Sequence, residues 1–228
     1  MVYLDKLRCS HFIYNKISCK FESHIIVLKR QSKRVKLNKF KNHTDIELMR
    51  EIAKFESRAL EELYDRYSPL LYTIVKKIAP DEESARELLV EVFSIIWKKS
   101  NKFDFTNGNV YAWLVTLTRN KAVDFLRRSR KSESISQIYD DEYEDYFILP
   151  TFLPGMDSLD LETARSLKPK VEEALSELTD TQKYVLHLAY YEGYTIDEIA
   201  NKLNVPVETV RNKVMTSLHN FRDNLAKE

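Results

Sequence analysis

The chain has 228 residues, 43% of them hydrophobic and 31% charged, enough to bury one large or two small helical cores and stay in solution. Its three glycines stand apart, at positions 108, 155 and 193, so the backbone cannot approach phosphate as it does in a Rossmann fold or a P-loop, and phosphate transfer of that kind is excluded. A net charge of +1 conceals segregation: residues 1–43 carry an excess of nine positive charges and residues 132–164 an excess of nine negative ones.

Residues 1–43 form a basic arm with no sustained period, read as a disordered extension whose charge adds nonspecific affinity for DNA. The arm lies ahead of Met49, which is an alternative initiation position. Cys9, His11, Cys19 and His24 are metal-binding types, but their spacing fits no common zinc finger, and no metal or cofactor is expected. There is no signal-peptide pattern and no apolar run of about 18 residues, so a cytoplasmic chain without membrane insertion is expected.

Residues 44–131 read as an all-helical unit. Ser68–Pro69 has the look of an N-cap followed by proline at the first helical position, which predicts a helix start there. Asp81 predicts the next cap, and Ala85, Leu88, Leu89, Val92, Phe93 and Ile96 then recur at three- and four-residue steps as a buried stripe. Lys98 to Asn109 is rich in turn formers, and Asn109 predicts the cap of a helix through Trp113, Leu114 and Leu117 toward Phe125.

Residues 132–160 are acidic, hold two prolines and read as a linker, although Tyr139, Tyr143, Tyr146, Phe147 and Phe152 make it aromatic for a spacer. Residues 161–228 form a second helical unit. Thr179 or Asp180 caps a helix ending near Gly193. Thr195 caps a short helix with Ile196, Ile199, Ala200 and Leu203. Asn204 and Val205 turn the chain, and Pro206 opens a last helix with Val210, Val214, Leu218, Phe221 and Leu225 along one face. Cap, small alanine, tight turn and a basic second helix are the ordering of a helix-turn-helix. Thr209, Arg211, Asn212 and Lys213 then fall on its exposed early turns. Arg or Lys can bond guanine edges or phosphate there, and Asn can bond adenine. No catalytic constellation emerges, and an enzyme is not expected.

The segment ALSELTDTQKYVLHLAYYEGYTIDEIANKLNVPVETVRNKV resembles domain 4 of the extracytoplasmic-function (group IV) sigma factors of the sigma-70 family. Upstream, LYDRYSPLLYTIVKKI, ARELLVEVFSIIWKK and YAWLVTLTRNKAVDFLRRSRK stand in the order of sigma domain 2. The resemblance implies two all-α domains, residues 44–131 and 161–228, joined by the acidic linker. It implies an alternative sigma factor, monomeric when free, that binds core RNA polymerase and promoter DNA and is held by an anti-sigma factor. Domain 4 would read the −35 element through Thr209, Arg211, Asn212 and Lys213. Domain 2 would bind and melt the −10 element through Lys102, Phe103, Arg119, Asn120, Lys121, Arg127 and Arg128, with a basic surface for a strand and a pocket for an unstacked base, Phe103 being read equally as a pocket ring or a core ring. Glu87, Glu91 and Trp97 would meet the polymerase, the two acids sharing an exposed face. The chain departs from the family at Val90, where Gln is usual, and at Thr216, where many members have Arg. A competing reading is a dimeric regulator that binds palindromic operators without polymerase.

Overall fold

The structure, a computed structural model, describes residues 39–106, 108–130 and 159–227. The four candidate metal-binding side chains and nearly all of the arm and linker lie outside these residues. Among the described residues every regular element is helical.

Helix α1 (Asp45–Ala53) starts at a reciprocal capping box: Thr44 accepts from the Glu47 backbone N–H, and Glu47 Oε2 accepts from the Thr44 N–H at 2.7 Å. It stops at Phe55, whose left-handed backbone (φ 64°) no helix can continue. Leu48, Met49 and Ile52 point inward and are fully buried.

Helix α2 runs unbroken over Ser57–Ile78, so the start predicted at Ser68–Pro69 is corrected: Pro69 lies inside the helix. Proline removes one backbone donor there. Leu63, Tyr67, Leu71 and Val75 are buried on both sides of it, and that continuous apolar stripe holds the helix together. Each such side chain contributes roughly 1.5–3 kcal/mol of burial, comparable with the cost of an interior proline.

Helix α3 (Glu82–Lys99) begins at Asp81, which accepts from the Ser84 N–H at 2.8 Å, and all six residues of the predicted stripe are buried. A short 3-10 turn, Ser100–Lys102, follows. Helix α4 (Val110–Arg130) starts where Asn109 Oδ1 accepts from the Ala112 N–H at 2.8 Å. Helices α1 to α4 pack around one core that includes Phe40, Tyr67, Phe93, Ile96 and Leu114. Phe40, in the segment assigned to the arm, is thus a core residue of this unit.

Arg66 pins that segment in place. Its guanidinium donates to the carbonyls of His43 (2.8 Å) and Lys41 (2.9 Å), to Asp45 (2.9 Å) and to Glu62 (2.9 Å). Tyr67 donates its hydroxyl to the other oxygen of Asp45.

Helices α5 (Leu161–Ser176), α6 (Asp180–Tyr190), α7 (Ile196–Leu203) and α8 (Val207–Ala226) form the second unit. Asp160 caps α5, and Thr179 caps α6 in a second capping box, with Gln182. Leu188, Ile199, Ala200 and Val210 make the small core under α7 and α8.

Candidate nucleic-acid interface

Three local devices set the angle between α7 and α8. Thr195 and Glu198 close a capping box at the start of α7. Asn204 adopts the left-handed conformation (φ 53°), which Asn tolerates better than most residues, and ends the helix. The Val205 N–H then bonds the Ala200 carbonyl at 3.1 Å, and Pro206 leads into α8. Ala200 is buried at the crossing, where its small side chain admits the second helix. This is the geometry of a helix-turn-helix.

Thr209, Arg211, Asn212 and Lys213 all lie exposed on the first two turns of α8. Arg211 is held by Glu208 at 2.9 Å, an exposed pair that a phosphate or a base edge can replace at little cost. Met215, 60% exposed, extends the same face and was missed by the sequence reading. Its place four residues after Arg211 was the available signal, since such residues stack on one side of a helix.

The candidate residues of the first unit are placed less uniformly. Lys102 and Arg128 are exposed, Asn120 and Arg127 partly so. Phe103 is buried, its ring centroid 5.7 Å from that of Trp113 and 5.3 Å from that of Phe105, so it lines the core rather than offering a free stacking face. Lys121 is almost buried and pairs with Glu91 at 2.7 Å. Glu87 is exposed and Glu91 partly exposed, but Trp97 is in the core under Phe55, with ring centroids 5.5 Å apart. The expectation that Trp97 forms part of an exposed surface is corrected accordingly: its apolar ring is worth more inside.

Arg119 is 6% exposed and faces the second unit. It donates to the Tyr190 carbonyl from Nε (3.0 Å) and Nη2 (2.8 Å), and to the Ala189 carbonyl at 3.0 Å. Its guanidinium also lies 4.7 Å from the Tyr190 ring centroid. Burial lowers the Arg119 pKa and raises that of the Tyr190 hydroxyl. Burial also raises the Asp124 pKa, against the pull of Arg128, Lys121, Arg127 and Arg119. Arg130 donates to the Glu192 carbonyl (2.6 Å) and carboxylate (3.0 Å) and stacks 4.3 Å from the Tyr194 ring centroid. No cluster of His, Cys, Asp and Glu that could hold a metal occurs among the described residues.

Residues 63–132 match the family model of sigma-70 region 2, and residues 174–223 match that of sigma-70 region 4. The chain is 28% identical over 177 residues to the ECF RNA polymerase sigma factor SigK of Mycobacterium tuberculosis (strain ATCC 25618 / H37Rv), covering 77% of this chain and 90% of that protein. The SigK of Mycobacterium ulcerans (strain Agy99) is 28% identical over 176 residues, with the same coverage. Among solved structures, Rhodobacter sphaeroides SigE in complex with the anti-sigma ChrR is 21% identical with a TM-score of 0.39, over 79% of this chain and 97% of that one. CnrH in complex with the cytosolic domain of CnrY is 19% identical with a TM-score of 0.36, over 80% and 97%. With regions 2 and 4 in order on one helical scaffold, the chain belongs to the sigma-70 family, and the relatives it resembles are of the extracytoplasmic-function group.

Proposed function

We propose that the chain is an alternative sigma factor that binds core RNA polymerase, directs it to a small set of promoters and helps to open them. The observation that carries this reading is the exposed quartet Thr209, Arg211, Asn212 and Lys213 on the second helix of a helix-turn-helix, in a chain that also carries a region 2 unit. Those four residues read the −35 duplex from the major groove. The basic face of α4, with Asn120, Arg127 and Arg128, takes the −10 strand together with Lys102 of the preceding turn, where phosphate contacts supply affinity. Glu87 and Glu91 on α3 meet a basic surface of the polymerase. The polymerase supplies the chemistry, and this chain supplies the address.

An anti-sigma protein is the expected partner in the resting cell, as the names of the two solved complexes suggest for those proteins. None of the helices among the described residues is long and apolar enough to cross a membrane. The test is size-exclusion co-elution of the purified chain with bacterial core RNA polymerase. Stoichiometric co-elution is expected. A folded chain that elutes alone, and binds palindromic DNA as a dimer, would overturn the reading in favour of a stand-alone regulator.

A further inference from the structure

Phe55 ends α1 in a conformation that its side chain does not favour. The left-handed turn (φ 64°) suits glycine or asparagine, whereas a bulky residue there is strained, and such strain gathers at ligand-binding sites. Full burial does not offset the strain, since Phe55 is 51% exposed. Its ring meets Trp97 with centroids 5.5 Å apart and planes at 69°. In an edge-to-face pair one ring presents its edge and the other a single face. At least one face of Phe55 is therefore not used by Trp97.

The surroundings are basic. Lys54 precedes the ring, exposed and paired with Glu51 at 2.8 Å. Lys98 follows Trp97 and is exposed, and α1 packs against both α3 and the 3-10 turn that carries exposed Lys102. Of the nearby acids, Glu51 is held by Lys54, and Glu56 accepts from the Arg58 N–H at the start of α2. An apolar partner would gain from the ring and not from the lysines. A single strand uses both, stacking a base on the aromatic and setting its phosphates against the cations.

We propose that Phe55 is a base-stacking platform for single-stranded DNA, continuing the strand-binding surface from the Lys102 turn across the end of α3. The proposal rests on the reading of the first unit as the one that takes the −10 strand. It adds a contact outside α4, made by the turn between α1 and α2. Every base has a face to stack, so this contact supplies affinity and no sequence preference.

The experiment assembles the full chain with bacterial core polymerase and titrates it with a short oligodeoxythymidine carrying one 2-aminopurine, whose fluorescence falls on stacking. Binding to core polymerase alone is subtracted. Phe55→Asn keeps a residue that tolerates the left-handed turn and removes the ring. Affinity is expected to fall about tenfold, as for the loss of one stacked base, and quenching of the bound probe to weaken. Phe55→Tyr keeps the ring and should match wild type. Lys54→Gln with Lys98→Gln should make the logarithmic salt dependence of affinity shallower by about 1.4, while Phe55→Asn leaves it as it was.

Should Phe55→Asn fail to fold, Phe55→Leu covers Trp97 without an aromatic face and serves instead. Unchanged affinity without the ring, equal loss in Phe55→Asn and Phe55→Tyr, or a salt dependence that the lysine pair leaves unmoved overturns the proposal. Loss of co-elution with core polymerase in Phe55→Asn overturns it too, by placing the ring against the polymerase. If the wild-type complex binds the probe no better than core polymerase alone, the strand-binding reading of the first unit itself has failed.

Discussion

Lys121 Nζ lies 2.7 Å from Glu91 Oε1 and joins the middle of α4 to the outer side of α3. The lysine is nearly buried while the carboxylate is partly in water, so the pair draws on a weakened local dielectric from one side only. It connects the helix proposed to meet polymerase with the helix proposed to meet DNA. A double-mutant cycle with Glu91→Ala and Lys121→Met, followed by urea unfolding, is expected to give a coupling of about 1 kcal/mol. A coupling near zero would mean that water already screens the pair.

Arg66→Ala should be much more damaging than any surface change. It strips a partner from three backbone carbonyls, of Phe40, Lys41 and His43, and from the carboxylates of Asp45 and Glu62. Breaking such a partly buried network costs roughly 3–5 kcal/mol. Urea titration of the variant should show the transition at much lower denaturant. A lysine at the same position keeps the charge but not the fork, and should recover only part of the loss.

Arg211→Ala tests the reading helix. The side chain is exposed and Glu208, which pairs with it, is exposed too, so folding stability should change by no more than about 0.5 kcal/mol. Promoter binding should weaken by about 1–3 kcal/mol if the guanidinium reads a base. Transcription from a cognate promoter would fall while co-elution with core polymerase holds. Equal loss of both would make the residue structural.

Alkaline pH should unfold the first unit through its buried phenols. Burial pushes the Tyr64 hydroxyl from 10.0 up to about 12, and Tyr67 also moves up, chiefly through burial and then its bond to Asp45. A folded pKa above the unfolded one means stability fully present below pH 10 and lost as pH rises toward 12. Each such group removes about 1.4 kcal/mol per pH unit in that window. Tyrosinate absorbance followed alongside circular dichroism should show the last phenols ionising with unfolding. Tyr64→Phe should make the alkaline loss of stability shallower.

The caps and stripes were legible because they are local: Asp81, Asn109, Thr179 and Thr195 each bond a backbone N–H within three residues. The exposed face of α8 was legible for the same reason, as helical spacing sorts Val210 inward and Arg211, Asn212 and Lys213 outward. Pro69 misled because a local rule met a tertiary one, the apolar stripe that continues past it. Trp97 misled, and Phe103 stayed open between core and contact, because a large ring suits both and only packing decides. The bonds from Arg119 to Tyr190 and from Arg66 to Lys41 span 71 and 25 residues, and no window along the chain could reveal them.

The turn at Asn204 bears on the thermodynamics of recognition. Its backbone N–H and that of Val205 are bonded back to α7, and Pro206 limits what remains, so the two helices meet at an angle fixed before any duplex arrives. Little ordering is left to occur on contact, and the entropy penalty of a segment that folds on its target is avoided. Calorimetry of the −35 complex should therefore give a heat-capacity change no larger than the buried apolar surface requires. Preference among promoters then falls to the side chains of α8, free of any toll for shaping the helix that carries them.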